Sequence, residues 1–171
     1  MAAKSFVRRA RRAAAKTELP FWKRRTLAQM SRQEWEALCD GCGMCCVNKL
    51  EYEGTGELAQ TDTCCKLLDP KTARCRDYKN RKKIVPDCVR LTLTKLAAIR
   101  WLPPTCAYKL RFEGKALPPW HPLLSGDPDS VHRAGVSVQG RVEASEDEID
   151  TDDLPEFIRV WPKRWPKRAR W

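Results

Sequence analysis

The chain has 171 residues, of which 42% are apolar and 32% are charged, and its formal net charge at neutral pH is +11. This length fits one domain with additional terminal segments, and no run approaches the ~18 consecutive apolar residues that a membrane-spanning helix needs. The composition therefore excludes an integral membrane protein and favours a soluble globular domain.

The positive charge is concentrated at the two ends of the chain. Residues 1–25 contain nine Lys/Arg and one Glu, and residues 161–171 contain five Lys/Arg, whereas the segment between them is slightly acidic. We predict a basic, disordered tail at 1–20 and a basic Trp/Pro-containing tail at 161–171. These tails could contact nucleic-acid phosphates or an anionic membrane surface, although solvated ends would explain the same charge.

The N-terminus also bears on the compartment. It is rich in Arg and poor in acidic residues, but it lacks the ~7–15-residue apolar core of a secretory signal. We therefore expect a cytoplasmic protein, or a mitochondrial one if the source is eukaryotic. Stable disulfides are rare in a reducing cytosol, so the nine cysteines indicate metal or redox chemistry. A disulfide framework would be expected only if the protein were secreted.

A capping box predicts the first well-defined helix of the domain. Ser31 can accept a hydrogen bond from an early backbone N–H group, and Glu34, three residues later, can reach back to the cap. Trp35 and Leu38 would lie on the buried face. Gly41 would end the helix after about two turns, because glycine readily adopts the conformation that follows a helix.

Residues 39–46 form a Cys-x-x-Cys-x-x-Cys-Cys run, which is the densest group of metal ligands in the chain. A spacing of two residues lets successive thiolates reach one ion, whereas the adjacent Cys45 and Cys46 side chains tend to point apart. The pair is therefore predicted to serve different roles, such as ligation of two neighbouring centres. Gly41 and Gly43 would let the backbone fold around an ion, because glycine reaches positive φ at little cost.

Zinc and iron–sulfur chemistry both remain open. Four thiolates can hold a structural zinc ion or an iron–sulfur cluster, and ligand type does not choose between them. The first three cysteines match the start of the bacterial ferredoxin run, but Lys49 stands where that run has its fourth cysteine and no Pro follows it. A ferredoxin is therefore disfavoured.

The next part of the chain lacks a sustained hydrophobic period. We predict loops with short turns over 48–80, which would need metal ligation to become ordered. A core helix is predicted over 92–102, because apolar residues recur there at helical spacing before Pro103 and Pro104. Cys88 and Cys106 would lie just outside its ends.

The remaining segment is rich in Pro and Gly. It predicts turns, a short helix near Ser130 and a short strand or hairpin at Val136 and Val138. The acidic residues 143–153 would be solvated, and residues 154–158 would dock as a final helical turn.

Histidines and carboxylates give little evidence for an enzyme. His121 and His132 lie outside the cysteine region, and a packed or surface position is the default for each. Ordinary turn chemistry explains the carboxylates near cysteines as well as an orienting role does; these are Asp40, Asp62, Asp77 and Asp87. No phosphate-binding loop or hydrolase motif is present.

Several segments together resemble a known family. Four segments carry the resemblance: the run at 39–46 with the preceding Glu-Trp-Glu-Ala-Leu, Val-Pro-Asp-Cys at 85–88, Trp-Leu-Pro-Pro-Thr-Cys-Ala-Tyr at 101–108 and Trp-His-Pro-Leu-Leu-Ser-Gly-Asp at 120–127. They are similar to segments of the bacterial proteins with a CxxCxxCC zinc- or iron-chelating domain, specifically the uncharacterised YcgN-type group. The resemblance covers roughly residues 20–160. It implies metal chelation by eight cysteines: Cys39, Cys42, Cys45, Cys46, Cys65, Cys75, Cys88 and Cys106.

Cys64 departs from the family pattern and becomes the predicted unpaired ninth thiol. We expect residues 21–160 to form a small, irregular α+β domain, mainly helical and loop-rich, stapled by cysteine-bound metal. The expected cofactor is an iron–sulfur cluster or zinc, with iron favoured. The alternatives are a metal-dependent redox enzyme, or a metal-stapled protein that binds RNA or the ribosome through its basic tails.

Overall fold

The computed structural model describes residues 19–161. The predictions for residues 1–18 and 162–171 lie outside the described residues. Seven short α-helices and five strands form within this range. The helices are α1 Phe21–Arg24, α2 Arg32–Ala37, α3 Arg81–Ile84, α4 Leu93–Ala98, α5 Ala107–Phe112, α6 Pro122–Ser125 and α7 Ser130–Arg133, and the strands are β1 Val47–Glu51, β2 Leu58–Cys64, β3 Leu68–Asp69, β4 Arg74–Cys75 and β5 Ala144–Ser145. Three 3₁₀ segments complete the structure, at Leu27–Gln29, Met44–Cys46 and Thr151–Phe157.

The capping box at the start of α2 is confirmed. The backbone N–H of Glu34 donates to Ser31 Oγ at 3.2 Å, and the backbone N–H of Ser31 donates to Glu34 Oε2 at 2.8 Å. The helix ends at Ala37, before Gly41, and is shorter than the predicted two turns. Leu38 is fully buried as expected, and Trp35 is half-buried. Cys39 therefore begins a turn directly beyond the helix end.

The prediction of loops over 48–80 is wrong for much of this segment. Strands β1 and β2 form an antiparallel hairpin there, and β3 and β4 pair as a second, two-residue ladder. The hairpin turn is closed by hydrogen bonds between Tyr52 and Glu57 and between Gly56 and Tyr52. The hydrophobic pattern does not indicate these strands because polar residues fill them, including Thr61, which is completely buried. The secondary structure of this region is set by pairing between strands and not by a regular spacing of apolar residues.

Strand β2 is the centre of a three-stranded sheet with the order β1-β2-β5. Its partner β5 runs parallel to it and lies within the acidic stretch 143–153, whose acidic side chains are mostly exposed, as predicted. The strand or hairpin predicted at Val136 and Val138 does not form. Both residues are buried in a loop instead, where the backbone N–H of Val138 donates to the carbonyl of Cys42 at 2.9 Å.

The helices after the sheet follow the sequence more closely. Helix α4 begins after Thr92, whose side chain accepts from the backbone N–H of Lys95 at 3.3 Å, but it ends at Ala98, short of the predicted 102. Helix α7 confirms the prediction near Ser130. The 3₁₀ segment Thr151–Phe157 confirms a final helical turn, which begins slightly earlier than predicted.

Two hydrophobic clusters form the interior. The first is built around Trp120, Val131 and Val138 and includes residues of the hairpin. The second is built around Leu38, Leu96, Leu102 and Tyr108, with Trp35 packed against it. Trp161, the first residue of the segment predicted as a C-terminal tail, belongs to the first cluster, and its Nε1–H donates to the carbonyl of Thr61 at 2.9 Å.

The structure is a small mixed α/β domain with many loops. Helices take about 33% of it and strands about 13%, so the α+β class is confirmed and "mainly helical" is too strong. Among residues 19–161, no helix is both long enough and apolar enough to cross a membrane.

Candidate metal centre

A cavity of about 610 Å³ lies between the two hydrophobic clusters. Val47, Leu68 and Ala73 reach it from the first cluster, and Trp35 and Tyr108 reach it from the second. Six of the eight predicted ligands lie on its wall: Cys39, Cys45, Cys46, Cys65, Cys75 and Cys88. Because cysteines separated by up to 49 positions meet around one space, the fold gathers thiols that the sequence only places in the same region.

The turn that carries the cysteine run depends on two glycines, as predicted. Gly41 and Gly43 have φ of 79° and 75°. A Cβ atom at Gly43 would lie 2.5 Å from Val138 Cγ2, so this position needs glycine for space as well as for conformation. The backbone N–H of Cys46 then donates to the carbonyl of Gly43 at 2.9 Å and starts the 3₁₀ turn that ends in the adjacent cysteines.

The sulfur atoms of Cys45 and Cys46 lie 4.0 Å apart. The hydrogen bond from the Cys46 thiol, aided by the charge of Lys49, lowers the pKa of Cys45 to about 7. The same hydrogen bond, together with desolvation, raises the pKa of Cys46. Of the two thiols, that of Cys45 is therefore the more acidic.

The charge of Cys45 acts on three further thiols, those of Cys39, Cys42 and Cys106, of which Cys39 lies on the cavity wall. Desolvation and the negative charge of Asp40 raise the pKa of Cys39 to about 12 and also raise that of Cys42. Desolvation raises the pKa of Cys106 to about 12, and the charges of Asp40 and Cys45 contribute. Cys39 and Cys45 have exposed surface because they open onto the cavity, although protein surrounds them.

A second group surrounds Cys46. The charges of Cys65 and Cys75 act on the Cys46 thiol, and the charge of Cys88 acts on Cys65. The backbone N–H of Cys65 donates to the carbonyl of Cys46 at 2.8 Å, which fixes the two residues side by side. The short β3–β4 ladder places Cys75 opposite Leu68. Leu68 is three residues after Cys65, so the ladder brings Cys75 close to the Cys65 segment.

Backbone N–H groups face several of these sulfurs. That of Gly41 lowers the pKa of Cys39 against the larger effect of desolvation, and that of Leu67 does the same for Cys65. At the start of α5, the N–H groups of Tyr108 and Lys109 act likewise on Cys106. Hydrogen bonds of this kind favour the thiolate, which is the form that binds metal.

Lys49 lies against the adjacent cysteines. Its Nζ donates to the carbonyl of Met44 at 3.1 Å and to that of Val47, and it sits 4.7 Å from the centroid of the Trp101 ring. Desolvation lowers the pKa of Lys49, while the charges of Cys45, Cys46 and Cys42 raise it. The residue that replaces a ferredoxin cysteine thus supplies a positive charge beside the thiols.

Cys64 differs from its neighbour Cys65. It is completely buried in the first hydrophobic cluster, where it pairs with Val47 across the hairpin. Burial raises its pKa to about 11. Cys65 lies on the cavity wall one residue later. Because successive side chains of an extended chain point to opposite sides, one thiol enters the core and the next faces the cavity.

Both histidines are packed by hydrogen bonds. His121 is fully buried, its Nδ1 accepts from the backbone N–H of Leu123 at 3.1 Å, and its Nε2 lies 3.0 Å from the carbonyl of Leu38. Burial lowers its pKa, so it is neutral and Nε2–H donates. His132 Nδ1 lies 2.8 Å from Ser137 Oγ. His121 therefore helps to hold the carbonyl that precedes Cys39.

The four carboxylates near cysteines have separate roles. Asp62 pairs with Arg159, whose Nε lies 2.8 Å from its Oδ2, and Asp77 accepts from the backbone N–H of Asn80 at 3.1 Å. Asp87 lies on the cavity wall. Asp40 accepts from the backbone N–H of Cys42 through Oδ1, and its buried Oδ2 has no hydrogen-bond partner.

The donor set suits a soft metal. Within residues 19–161, no three His, Cys, Asp or Glu side chains already converge as a single ion would require, so binding needs side chains to turn. The chemistry nevertheless fits, because thiolates suit zinc and iron–sulfur clusters and a buried carboxylate without a partner beside several thiols favours a cation.

The sequence did not reveal two contributors to the site: Arg74, whose guanidinium covers Gly41, and Tyr108, whose OH donates to the carbonyl of Trp35 at 2.9 Å.

Comparison with known proteins gives the family. The model of the CxxCxxCC family, described as a "Putative zinc- or iron-chelating domain", matches residues 38–107. A UPF0260 protein of Nitrobacter hamburgensis is 55% identical over 150 residues, which are 88% of each chain. The chain belongs to the UPF0260 family. Another UPF0260 protein, from Rhizobium leguminosarum, is 54% identical over 145 residues, which are 85% of this chain and 90% of that one.

Membership of UPF0260 confirms the resemblance to CxxCxxCC proteins that the sequence indicates. The matched residues 38–107 include all nine cysteines, so the family description applies to the segment that lines the cavity. No solved structure matches this UPF0260 chain. The predicted contacts of the basic tails with nucleic acid or an anionic surface concern residues 1–20 and 161–171, nearly all of which lie outside the described range.

Proposed function

We propose that this protein is an intracellular metalloprotein whose cysteines hold iron, as an iron–sulfur cluster, in preference to zinc. The ligands would be Cys39, Cys42, Cys45, Cys46, Cys65, Cys75, Cys88 and Cys106. The observation that supports this best is the arrangement around the cavity, where six of the eight thiols form the wall and backbone N–H groups favour the thiolate at Cys39, Cys65 and Cys106.

Iron is favoured over zinc because of the space between the thiols. A cluster contains several iron and sulfide atoms and needs more room than a single ion, and a cavity of about 610 Å³ provides it. Bound metal would also connect the two hydrophobic clusters, since Cys42 belongs to the first and Cys106 packs against the second. In a domain whose longest α-helix has six residues, such ligation would supply much of the folding free energy.

The test is metal and acid-labile sulfide analysis of protein purified without oxygen, with a visible spectrum. Equal amounts of iron and sulfide and a brown colour bleached by reduction are expected. Colourless protein with stoichiometric zinc would retain metal binding and reject the cluster. Protein with neither metal would reject the proposal.

Cys65→Ser and Cys64→Ala form a matched pair for the ligand assignment. They remove thiols at adjacent positions, one on the cavity wall and one in the core. Cys65→Ser should lower the metal content, and Cys64→Ala should leave it unchanged although it lowers stability by removing a packed sulfur. Equal metal loss in the two variants would contradict the assignment.

A second candidate function, a metal-dependent redox enzyme, is favoured by the walls of the same cavity. Besides thiols, the lining includes Arg32, Arg74, Arg81 and Arg90, whose positive charges suit a small anionic substrate. An enzyme of this kind keeps an open metal position, so cyanide should change the visible spectrum of the purified protein. An unchanged spectrum would reject the open metal position and indicate a fully ligated centre with a structural or electron-carrying role. Complete burial of Cys64 disfavours a reaction at that thiol.

A further inference from the structure

The adjacent cysteines face two different groups of thiols. Cys46 packs against the first hydrophobic cluster and its carbonyl is bonded to the backbone of Cys65. The sulfur of Cys45 lies 4.0 Å from that of Cys46, but Cys45 follows Cys39 and Cys42 at the two-residue spacing that lets successive thiolates reach one ion. Two successive residues therefore belong to separate surroundings.

The elements that carry the first group are tied to one another. The Tyr108 hydroxyl donates to the carbonyl of Trp35 at 2.9 Å, and the two rings lie 5.0 Å apart between centroids. This contact fixes the start of α5, where Cys106 is the N-cap, against α2, which ends just before Cys39. Asp40 then anchors Cys42 through its backbone N–H at 3.1 Å.

The elements that carry the second group are tied together independently. The Cys65 backbone bonds to Cys46 at 2.8 Å, and the carbonyl of Cys65 accepts from Leu68 at 2.8 Å. Leu68 pairs with Cys75 in the β3–β4 ladder. Cys88 lies on the wall of the same cavity as Cys46, Cys65 and Cys75 and completes the group.

We propose that the cysteines form two four-thiolate centres, one from Cys39, Cys42, Cys45 and Cys106 and one from Cys46, Cys65, Cys75 and Cys88, which meet at the peptide bond between Cys45 and Cys46. This inference rests on the proposed function, since it divides the same eight ligands. Four thiolates satisfy one tetrahedral zinc ion or one iron–sulfur cluster. Each group supplies that number.

The division also explains the position of Lys49. Two centres with four thiolates each place a large negative charge at the adjacent cysteines. The Lys49 ammonium is held there by the carbonyls of Met44 and Val47, where it offsets part of that charge. Asp40 precedes Gly41 and Cys42 and accepts from the backbone N–H of Cys42, so the first centre would have an additional negative charge beside it.

The test begins with native mass spectrometry of the wild-type protein purified without oxygen. It is expected to carry two clusters, or two zinc ions, per chain. Absence of any metal would reject the proposed function itself. Metal present as a single four-thiolate centre would reject only the division into two.

Two double variants then test which cysteines act together. Cys42→Ser/Cys106→Ser removes two thiols from the first group, and Cys88→Ser/Cys106→Ser removes one from each. The first is expected to keep half of the wild-type metal and the second to lose nearly all of it. Because both remove two thiols, an equal loss in the two variants, from general unfolding or from a shared site, would overturn the proposal.

Discussion

Asp40 accepts a hydrogen bond from the backbone N–H of Cys42 through Oδ1 at 3.1 Å, while its other oxygen is buried and has no hydrogen-bond partner. The residue is only 4% exposed, and its charge acts on four thiols. A carboxylate so placed repels the surrounding thiolates unless a cation offsets the charge. The pair of residues thus links the conformation of the cysteine turn to the charge of the metal.

We predict that Asp40→Asn strengthens zinc binding near neutral pH, because the Asp40 charge raises the pKa of Cys39, Cys42 and Cys106 and so opposes the thiolate form that binds metal. Asparagine can still accept the hydrogen bond from Cys42, so the turn should persist while one negative charge is lost. Zinc affinity measured by competition with a chelator checks this. Asp87→Asn, on the cavity wall, is the control and should change the affinity less; an equal change would indicate a general effect of cavity charge.

Gly43→Ala should lower the free energy of unfolding and the metal content. The alanine would adopt positive φ, which costs about 1–2 kcal/mol, and its Cβ would press on Val138 Cγ2, adding about 1–3 kcal/mol. Gly114→Ala is the matched control, because its φ is 71° but no atom lies within 4 Å of the new Cβ. Urea unfolding should show a clearly larger loss for Gly43→Ala. Equal losses would mean that space at Gly43 is unimportant.

Trp161→Ala is expected to lower the free energy of unfolding by about 3–5 kcal/mol, the usual cost of emptying a large aromatic site. The side chain is 7% exposed and its indole donates to the carbonyl of Thr61. Trp161→Phe keeps much of the packing and should lose only about 1 kcal/mol with the hydrogen bond. Val160→Ala, at a residue 93% exposed, should have little effect. Thermal unfolding would show whether this order holds.

Asp62 and Asp69 should give opposite pH dependences. Burial raises the pKa of Asp62 above 3.8 despite the charge of Arg159, so the folded state binds this proton more tightly than the unfolded state. That stabilisation is complete below the unfolded pKa and is lost as pH rises through the folded pKa. The free energy of unfolding of Asp62→Asn should therefore increase relative to that of the wild type as pH rises from about 3 to 7.

At Asp69 the backbone N–H of Lys71 and the Thr72 hydroxyl lower the pKa. Its stabilisation is present above the unfolded pKa and disappears as pH falls through the folded pKa. Asp69→Asn should therefore be less stable than the wild type near pH 7 and approach it in acid. Urea unfolding at several pH values tests both variants, and the same direction for both would contradict the assigned causes.

Local signals were predictable where neighbouring residues decide the structure. The Ser31/Glu34 capping box forms as expected, because its two hydrogen bonds join residues only three apart. The positive φ of Gly41 and Gly43 was likewise expected from residue type. The hairpin of β1 and β2 is not predictable in this way, because polar strands such as the one containing Thr61 are stabilised by pairing partners that no local pattern shows.

The amino-acid sequence alone specifies nine thiols within one segment, the spacing of residues 39–46 and the glycines that allow the turn. These follow from residue type and short separations along the chain. Which thiols face the cavity depends instead on contacts between residues far apart in the chain. Cys64 enters the core and Cys65 the cavity because the pairing of β2 with β1 fixes which side each faces, and Cys106 reaches the Cys39 turn because Tyr108 is bound to Trp35, 73 residues away.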